Sequence, residues 1–265
     1  MTLRVYVDGI GVLGPGLGNW PDAAGVLLGR EAYRPAASVL PAPVILPAAE
    51  RRRSGRVVKL ALTVALEATA RAGADPATLA SVFSSSGGDG QNCHEICQAL
   101  SLAGREISPT RFANSVHNAA AGYWSIATGA VAESNVLCAF DASFAAGLLE
   151  ALAQVAVDGE PVLMVAYDTE YPQPLHAKRP MPDAFGVAFV LRAERGPRSL
   201  ARLDAALTAD AFDRLRDPAL EELRGAIPAA RCLPLLALLA TRQSGHTTLE
   251  YLDMLRMSIE VAPCA

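Results

Sequence analysis

The stretch SNVLCAFDASFAAGLLEALAQV, Ser134–Val155, decides how the rest of this chain is read. Asn135 to Phe140 is short and largely apolar and predicts a strand, while residues 142–157 predict a buried helix. Asp141 stands at the junction, where a strand empties into a helix start, a setting suited to a catalytic nucleophile. Either Asp141 does chemistry there, or the chain has kept a catalyst's scaffold and given up its reaction. In FAAGLLEALAQVAV only Glu150 and Gln154 are strongly polar, too little to solvate one helix face. A partner subunit or the chain's own tail has to cover the remainder.

Outward from this junction, strands and helices alternate. Downstream lie the apolar strands PVLMVAYD (161–168) and AFGVAFVLRAE (184–194), then LARLDAALTAD (200–210). Upstream, Ala80–Ser84 reads as a short buried strand that opens into Gly87, Gly88 and Gly90, and residues 91–103 return to helix spacing. ISPTRFANSVHNAAAGYWSIATG predicts an extended run past Pro109, then a helix in which Ala119–Ala121 and Gly122 admit a second backbone. ERRRSGRVVKLALTVALEATARAGADP predicts one helix with a basic lead-in, ended by Gly73 and Pro76. Val5–Val7 reads as an edge or first strand ending in a glycine-rich turn, followed by a short helix over 21–30 and a proline-rich surface connection over 34–48. The alternation predicts an α/β fold, a mixed sheet with helices on both faces. A short α+β tail closes the chain, so that 1–265 forms one domain with a core over 1–195 and a divergent tail over 196–265.

Composition narrows the function. A formal net charge of −4 gives no basic field for nucleic acid. Five cysteines with no export signal in MTLRVYVDGIG argue against a disulfide framework and for a cytoplasmic protein. The apolar run Leu233–Ala240, broken by Pro234, falls short of a membrane span. Cys93 and Cys97 share a helix face, but no second ligand pair stands at zinc spacing, so no metal is expected. Gly14, Gly16 and Gly18 enclose Pro15 and lack the downstream acid of a dinucleotide loop, so no cofactor is expected either. Arg51–Arg53 read as a solvated helix start, with docking of an acidic carrier protein as the sharper alternative.

The order of elements resembles the N-terminal half of a β-ketoacyl synthase of the thiolase-like superfamily. The resemblance is carried by RVYVDGIGVLGPGLGNWPDAAGVLLGRE, by SGRVVKLALTVALEATARAG, by FSSSGGDG, and by ISPTRFANSVHNAAAG with Asn118 and Gly122 in an Asn-x-x-x-Gly pattern. DAFGVAFVLRAERG resembles the strand that closes that half near residue 195. Matched without gaps from Gly122, the family's Thr-Ala-Cys-Ala/Ser-Ser/Thr-Gly motif falls on Ala139-Phe140-Asp141-Ala142-Ser143-Phe144, which places Asp141 at the cysteine. Cys138, three residues earlier, points to the opposite face of an extended strand. The family's second half carries two catalytic histidines, in His-Gly-Thr and Asn-x-x-x-Gly-His settings, and neither setting occurs here.

Claisen condensation needs a thiolate that accepts the acyl chain and later releases it. An aspartate gives a mixed anhydride prone to hydrolysis, and its charge at a helix N-terminus is stabilised rather than activated. Asp141 is therefore expected to cap the helix, with the catalytic site lost. The resemblance implies a chain-length-factor-like protein of the aryl polyene and xanthomonadin-type clusters, pairing with an active ketosynthase and meeting acyl carrier protein through that complex. It further implies that Ser134, Asn135, Val136, Leu137, Cys138, Ala139 and Phe140 pair across the dimer, and that Pro109, Thr110, Arg111 and Phe112, with His117, Asn118 and Gly122 beyond them, reach toward the partner's acyl tunnel. His117 with Asp141 is the remaining candidate for acid–base chemistry as a thioester hydrolase or decarboxylase. A homodimeric acyl-binding scaffold is the third reading.

Overall fold

A computed structural model describes residues 2–264. In chain order the elements are β1 (Leu3–Leu13), α1 (Trp20–Leu27), α2 (Ala48–Arg53), α3 (Arg56–Ala72), β2 (Ala80–Ser84), α4 (Gly90–Ser101), α5 (Pro109–Ala113), α6 (Ala119–Thr128) and β3 (Ser134–Leu137). They continue with α7 (Ser143–Asp158), β4 (Val162–Asp168), α8 (Leu175–Lys178), β5 (Phe185–Arg192), β6 (Ala201–Thr208), α9 (Pro218–Ala226), α10 (Leu233–Thr241), β7 (Gly245–Leu252) and β8 (Leu255–Pro263). Two 3₁₀ turns, Phe140–Ala142 and Pro228–Cys232, complete the set.

All eight strands form one mixed sheet in the order β3-β2-β4-β5-β1-β6-β8-β7. β3, β2 and β4 run parallel, and every pairing beyond β4 is antiparallel. Both faces are buried at the centre, which is why β4 and β5 read as almost unbroken apolar runs. Their side chains divide by period two. Val162, Met164 and Ala166 join one core with α7, α10 and the 3₁₀ turn, while Leu163, Val165 and Tyr167 join a second core with α3 and α6.

Several expectations need correction. β1 is neither an edge strand nor stopped by its glycines: it lies between β5 and β6 and runs for 11 residues. Its glycines serve α3, because a Cβ at Gly9 would overlap the Ala68 carbonyl oxygen and one at Gly11 the Val64 carbonyl oxygen. The expected single basic-then-apolar helix divides at Ser54–Gly55, so that α2 carries the arginines and α3 the apolar face. Gly73, with φ 61°, ends α3 as the sequence predicts. The expected extended run past Pro109 is instead one turn of helix, α5, with Pro at its N-terminal turn, where a missing N–H costs nothing. β3 ends at Leu137 rather than at Phe140. The final β-like run folds back as the β7–β8 hairpin, and β8 pairs with β6, so the tail extends the main sheet.

The tail also covers α7, since Leu233, Leu235, Leu236 and Leu249 share its core with Leu148, Leu152 and Val155. The helical run Phe140–Asp158 is long and apolar enough, by length and composition, to cross a membrane, and half of it is buried within the fold. Sequence inspection overlooked it because the tail supplied a more obvious apolar run. A Cβ at Gly122 would have open space within 4 Å, so among the described residues no second backbone approaches it.

These contacts predict opposite outcomes at two glycines. Gly11→Ala is expected to lower unfolding stability by about 3 kcal/mol through overpacking against α3. Gly122→Ala is expected to raise it by up to about 1 kcal/mol through helix propensity. Urea unfolding midpoints at constant m-value separate the two cases.

Candidate functional site

The parallel strands β2, β3 and β4 end on the same side of the sheet, and the chain leaves β3 into the 3₁₀ turn that carries Asp141. In open α/β sheets the crevice beyond such strand ends is the usual ligand position. Here it is filled by charge pairs. Arg179 Nη2 donates to Asp141 Oδ1 at 2.6 Å, and Arg231 Nη2 donates to Oδ2 at 3.1 Å. Arg231 Nη1 donates also to the Asp141 carbonyl at 3.0 Å. Arg179 follows α8 and Arg231 lies in the 3₁₀ turn Pro228–Cys232, so one side chain fastens two distant segments.

The pairing continues through the tail. Arg231 Nε lies 3.5 Å from Glu250 Oε2 on β7, Glu250 pairs with Arg224 on α9, and Arg224 Nη2 meets Glu221 at 2.8 Å. Arg179 also stacks on Phe140, its guanidinium carbon 3.7 Å from the ring centroid. Phe140 has φ 51°, a left-handed backbone that an aromatic residue rarely adopts, and its side chain projects to solvent.

Asp141 is consequently not the helix cap that the sequence suggests. The N-cap of α7 is Ala142, with no side-chain capping bond. Two guanidinium groups take both carboxylate oxygens, and charge-assisted bonds outcompete neutral amides. Ser143 braces the turn instead, accepting from Ala139 N–H at 3.0 Å and donating to the Phe140 carbonyl at 2.7 Å. His117 is exposed and does not contribute to the hydrogen bonds of Asp141, so the structure does not join the two as an acid–base pair.

A second carboxylate at the same strand ends is Asp168, the last residue of β4. It is buried, and it accepts from Ser86 N–H at 2.7 Å, from Ala229 N–H at 2.9 Å and from Ser85 Oγ at 3.3 Å. Burial pushes its pKa up to about 6, against the lowering effect of those donors. Burial likewise raises the exposed-face thiol Cys138, with a smaller contribution from the Asp168 charge.

The other anticipated residues fall into two groups. Ser134–Leu137 form the outer edge of the sheet, with Ser81 Oγ bonded to Ser134 Oγ at 3.0 Å and Asn135 Nδ2 to Glu150 at 3.2 Å. Pro109–Phe112 lie in α5, where Asn92 Nδ2 donates to the Arg111 carbonyl at 2.8 Å and Arg111 pairs with Glu95. Phe112 is 68% exposed. Thr110 and Arg111 line a cavity of about 530 Å³ together with Arg52, Arg53 and Arg56. Asn118 takes the cap position of α6 without a side-chain bond. Among the described residues no group of three or more His, Cys, Asp or Glu side chains is placed to hold a metal ion.

Sequence reasoning missed Arg179, Arg231 and Asp168. Two of them leave a signal: Arg231 is the lone charge in IPAARCLPLL, and Asp168 is the lone charge ending PVLMVAYD.

The family described as "Beta-ketoacyl synthase, N-terminal domain" matches residues 29–250. Among solved structures, the complex of the ketosynthase ApeO with its chain length factor ApeC from Xenorhabdus doucetiae aligns with TM-score 0.73 at 24% identity, over 97% of this chain and 99% of the matched one. A chain of the AntDE:AntF complex, a type II acyl-carrier protein with its ketosynthase, aligns with TM-score 0.77 at 12% identity over 100% of both chains. The ishigamide ketosynthase/chain length factor aligns with TM-score 0.72 at 14% identity, over 99% of this chain and 100% of the other. At these identities the likeness establishes the thiolase-like fold. No curated protein matches the sequence.

Asp168 generates a pH prediction. Its folded pKa, about 6, lies above the ordinary 3.8, so the native state holds the proton more tightly than the unfolded chain. Stability from this group is fully present below about pH 4 and is lost as pH rises toward 6, by about 3 kcal/mol at most. The unfolding free energy of Asp168→Asn, relative to the unaltered protein, is expected to shift in the variant's favour across that window and to stay constant above it.

Proposed function

The chain belongs to the β-ketoacyl synthase N-terminal-domain family, and on that premise we propose that it is a non-catalytic, chain-length-factor-like subunit that pairs with an active β-ketoacyl-ACP synthase and shapes its acyl tunnel. The observation that carries this reading is the state of the nucleophile position. Asp141 is held by Arg179 and Arg231 through bonds that a nucleophile would have to break before reaching a thioester. The chain also lacks both histidine settings that drive decarboxylation. The biosynthesis of aryl polyene or related polyene chains, in the cytoplasm, is the context that the sequence resemblance suggests.

The exposed surface supports a partner. The unpaired side of β3 offers backbone donors and acceptors to a second strand. Elsewhere on the surface Phe112 and Ile126 are 68% and 52% exposed, and Phe140, stacked by Arg179 on one side, is 63% exposed. In this reading β3 pairs across the heterodimer and α5 presents Phe112 to the partner's tunnel. At the 530 Å³ cavity Asp89, Glu95 and Glu170 face the arginines, and Arg52 and Arg53 on α2 are the groups we assign to contact with an acidic carrier protein in the assembled complex.

Co-expression with a candidate ketosynthase, followed by size-exclusion chromatography with mass measurement, tests the pairing. A one-to-one complex is expected, with condensation activity that requires this chain and survives Asp141→Ala. A homodimer that ignores the ketosynthase, or thioester turnover by the isolated chain, would overturn the proposal. Within the complex, Arg52→Glu with Arg53→Glu is expected to raise the KM for acyl carrier protein severalfold while leaving the subunits associated. An unchanged KM would remove the carrier-docking role from that surface.

A further inference from the structure

A cavity of about 630 Å³ opens between α1 and α10, distant in function from anything discussed above. Its lining is mixed, more polar than apolar, with the apolar side chains of Trp20, Leu28, Leu200 and Leu239 on one part of it, and its size is that of a small-molecule site. Its rim is charged. Arg30, Arg71 and Arg242 all line it, opposed there by the single carboxylate of Glu31.

These guanidinium groups are not equally engaged. Arg71 Nε is bonded at 3.0 Å to Glu67, a carboxylate already occupied by the Val12 and Trp20 N–H groups at 2.9 Å each. Arg30 and Arg242 form no ion pair and no side-chain hydrogen bond among the described residues. Even with Glu31 and Glu67 both counted, the charges leave a surplus of one cation. Arg242 sits at φ 54° immediately after α10, which fixes its backbone beside the cavity. Other arginines, Arg4, Arg56, Arg192, Arg202, Arg224 and Arg231 among them, pair with acids.

We propose that this cavity binds an amphiphilic organic anion, with a carboxylate or phosphate head held by Arg30 and Arg242 and an apolar body against Trp20, Leu28 and Leu239. Planar guanidinium forks suit both heads, and an apolar body can lie against Trp20, Leu28 and Leu239. Gly25, on α1, leaves the space open: a Cβ there would meet only the Glu31 carboxylate, at 3.6 Å. This site is independent of the pairing proposed above and is read on the isolated chain.

Isothermal titration with decanoate, decyl phosphate and inorganic phosphate tests it. Saturable one-site binding of a decyl ligand is expected, with one head group preferred, together with at least tenfold weaker binding of inorganic phosphate. Arg30→Ala and Arg242→Asn, the latter chosen because asparagine tolerates the left-handed backbone, are each expected to weaken binding at least tenfold. Gly25→Leu fills the cavity without changing charge and is expected to abolish binding while the melting temperature is kept. Absence of saturable binding overturns the proposal. Equal affinity for inorganic phosphate does so as well, since it marks a bare cation patch, and so does indifference to all three substitutions.

Discussion

Everything in this fold depends on how closely one helix can lie on one strand. Gly9 and Gly11 remove the side chains that would hold α3 away from β1, and α3 then closes over β1, β4 and β5 together. That seating fixes the spacing of the layer on one face. The opposite face is free to accept α7, and Gly147 of α7 lies against Ser84 in the same manner. Two buried cores follow from two close approaches, and the strand ends that frame Asp141 and Asp168 are positioned by both.

The sequence reveals most of this architecture and little of the site, for a physical reason. Strands buried on both faces, such as β4 and β5, declare themselves as apolar runs, and Gly73 declares the end of α3, because each signal is local. β1 misleads, since its glycines read as a turn until the helix that needs them is in place. α5 misleads because a proline that starts a helix looks the same, one residue at a time, as a proline in an extended segment.

The motif resemblance singles out Asp141, but what Asp141 does in the fold depends on residues 38 and 90 positions away. Such pairing has no periodicity and no spacing rule. The only trace it leaves is an isolated charge in an apolar stretch, as at Arg231. The cap predicted for Asp141 follows correctly from helix chemistry, yet it loses to two guanidinium groups, one delivered by the segment after α8 and one by the folded tail. Asp168 follows the same logic: its donors come from the glycine loop after β2 and from the tail.

The chain of pairs from Asp141 through Arg231 and Glu250 to Arg224 limits what position 141 can accept. A neutral side chain there strands two guanidinium groups that are mostly shielded from water. Arg231 is in turn held by Glu250, whereas Arg179 has Asp141 as its one acid among the described residues. A change at position 141 that keeps every charge matched therefore needs coordinated changes at Arg179 and Arg231. What residue 141 can be is thereby set by the packing of the tail and of the segment after α8 as well as by the turn that carries it.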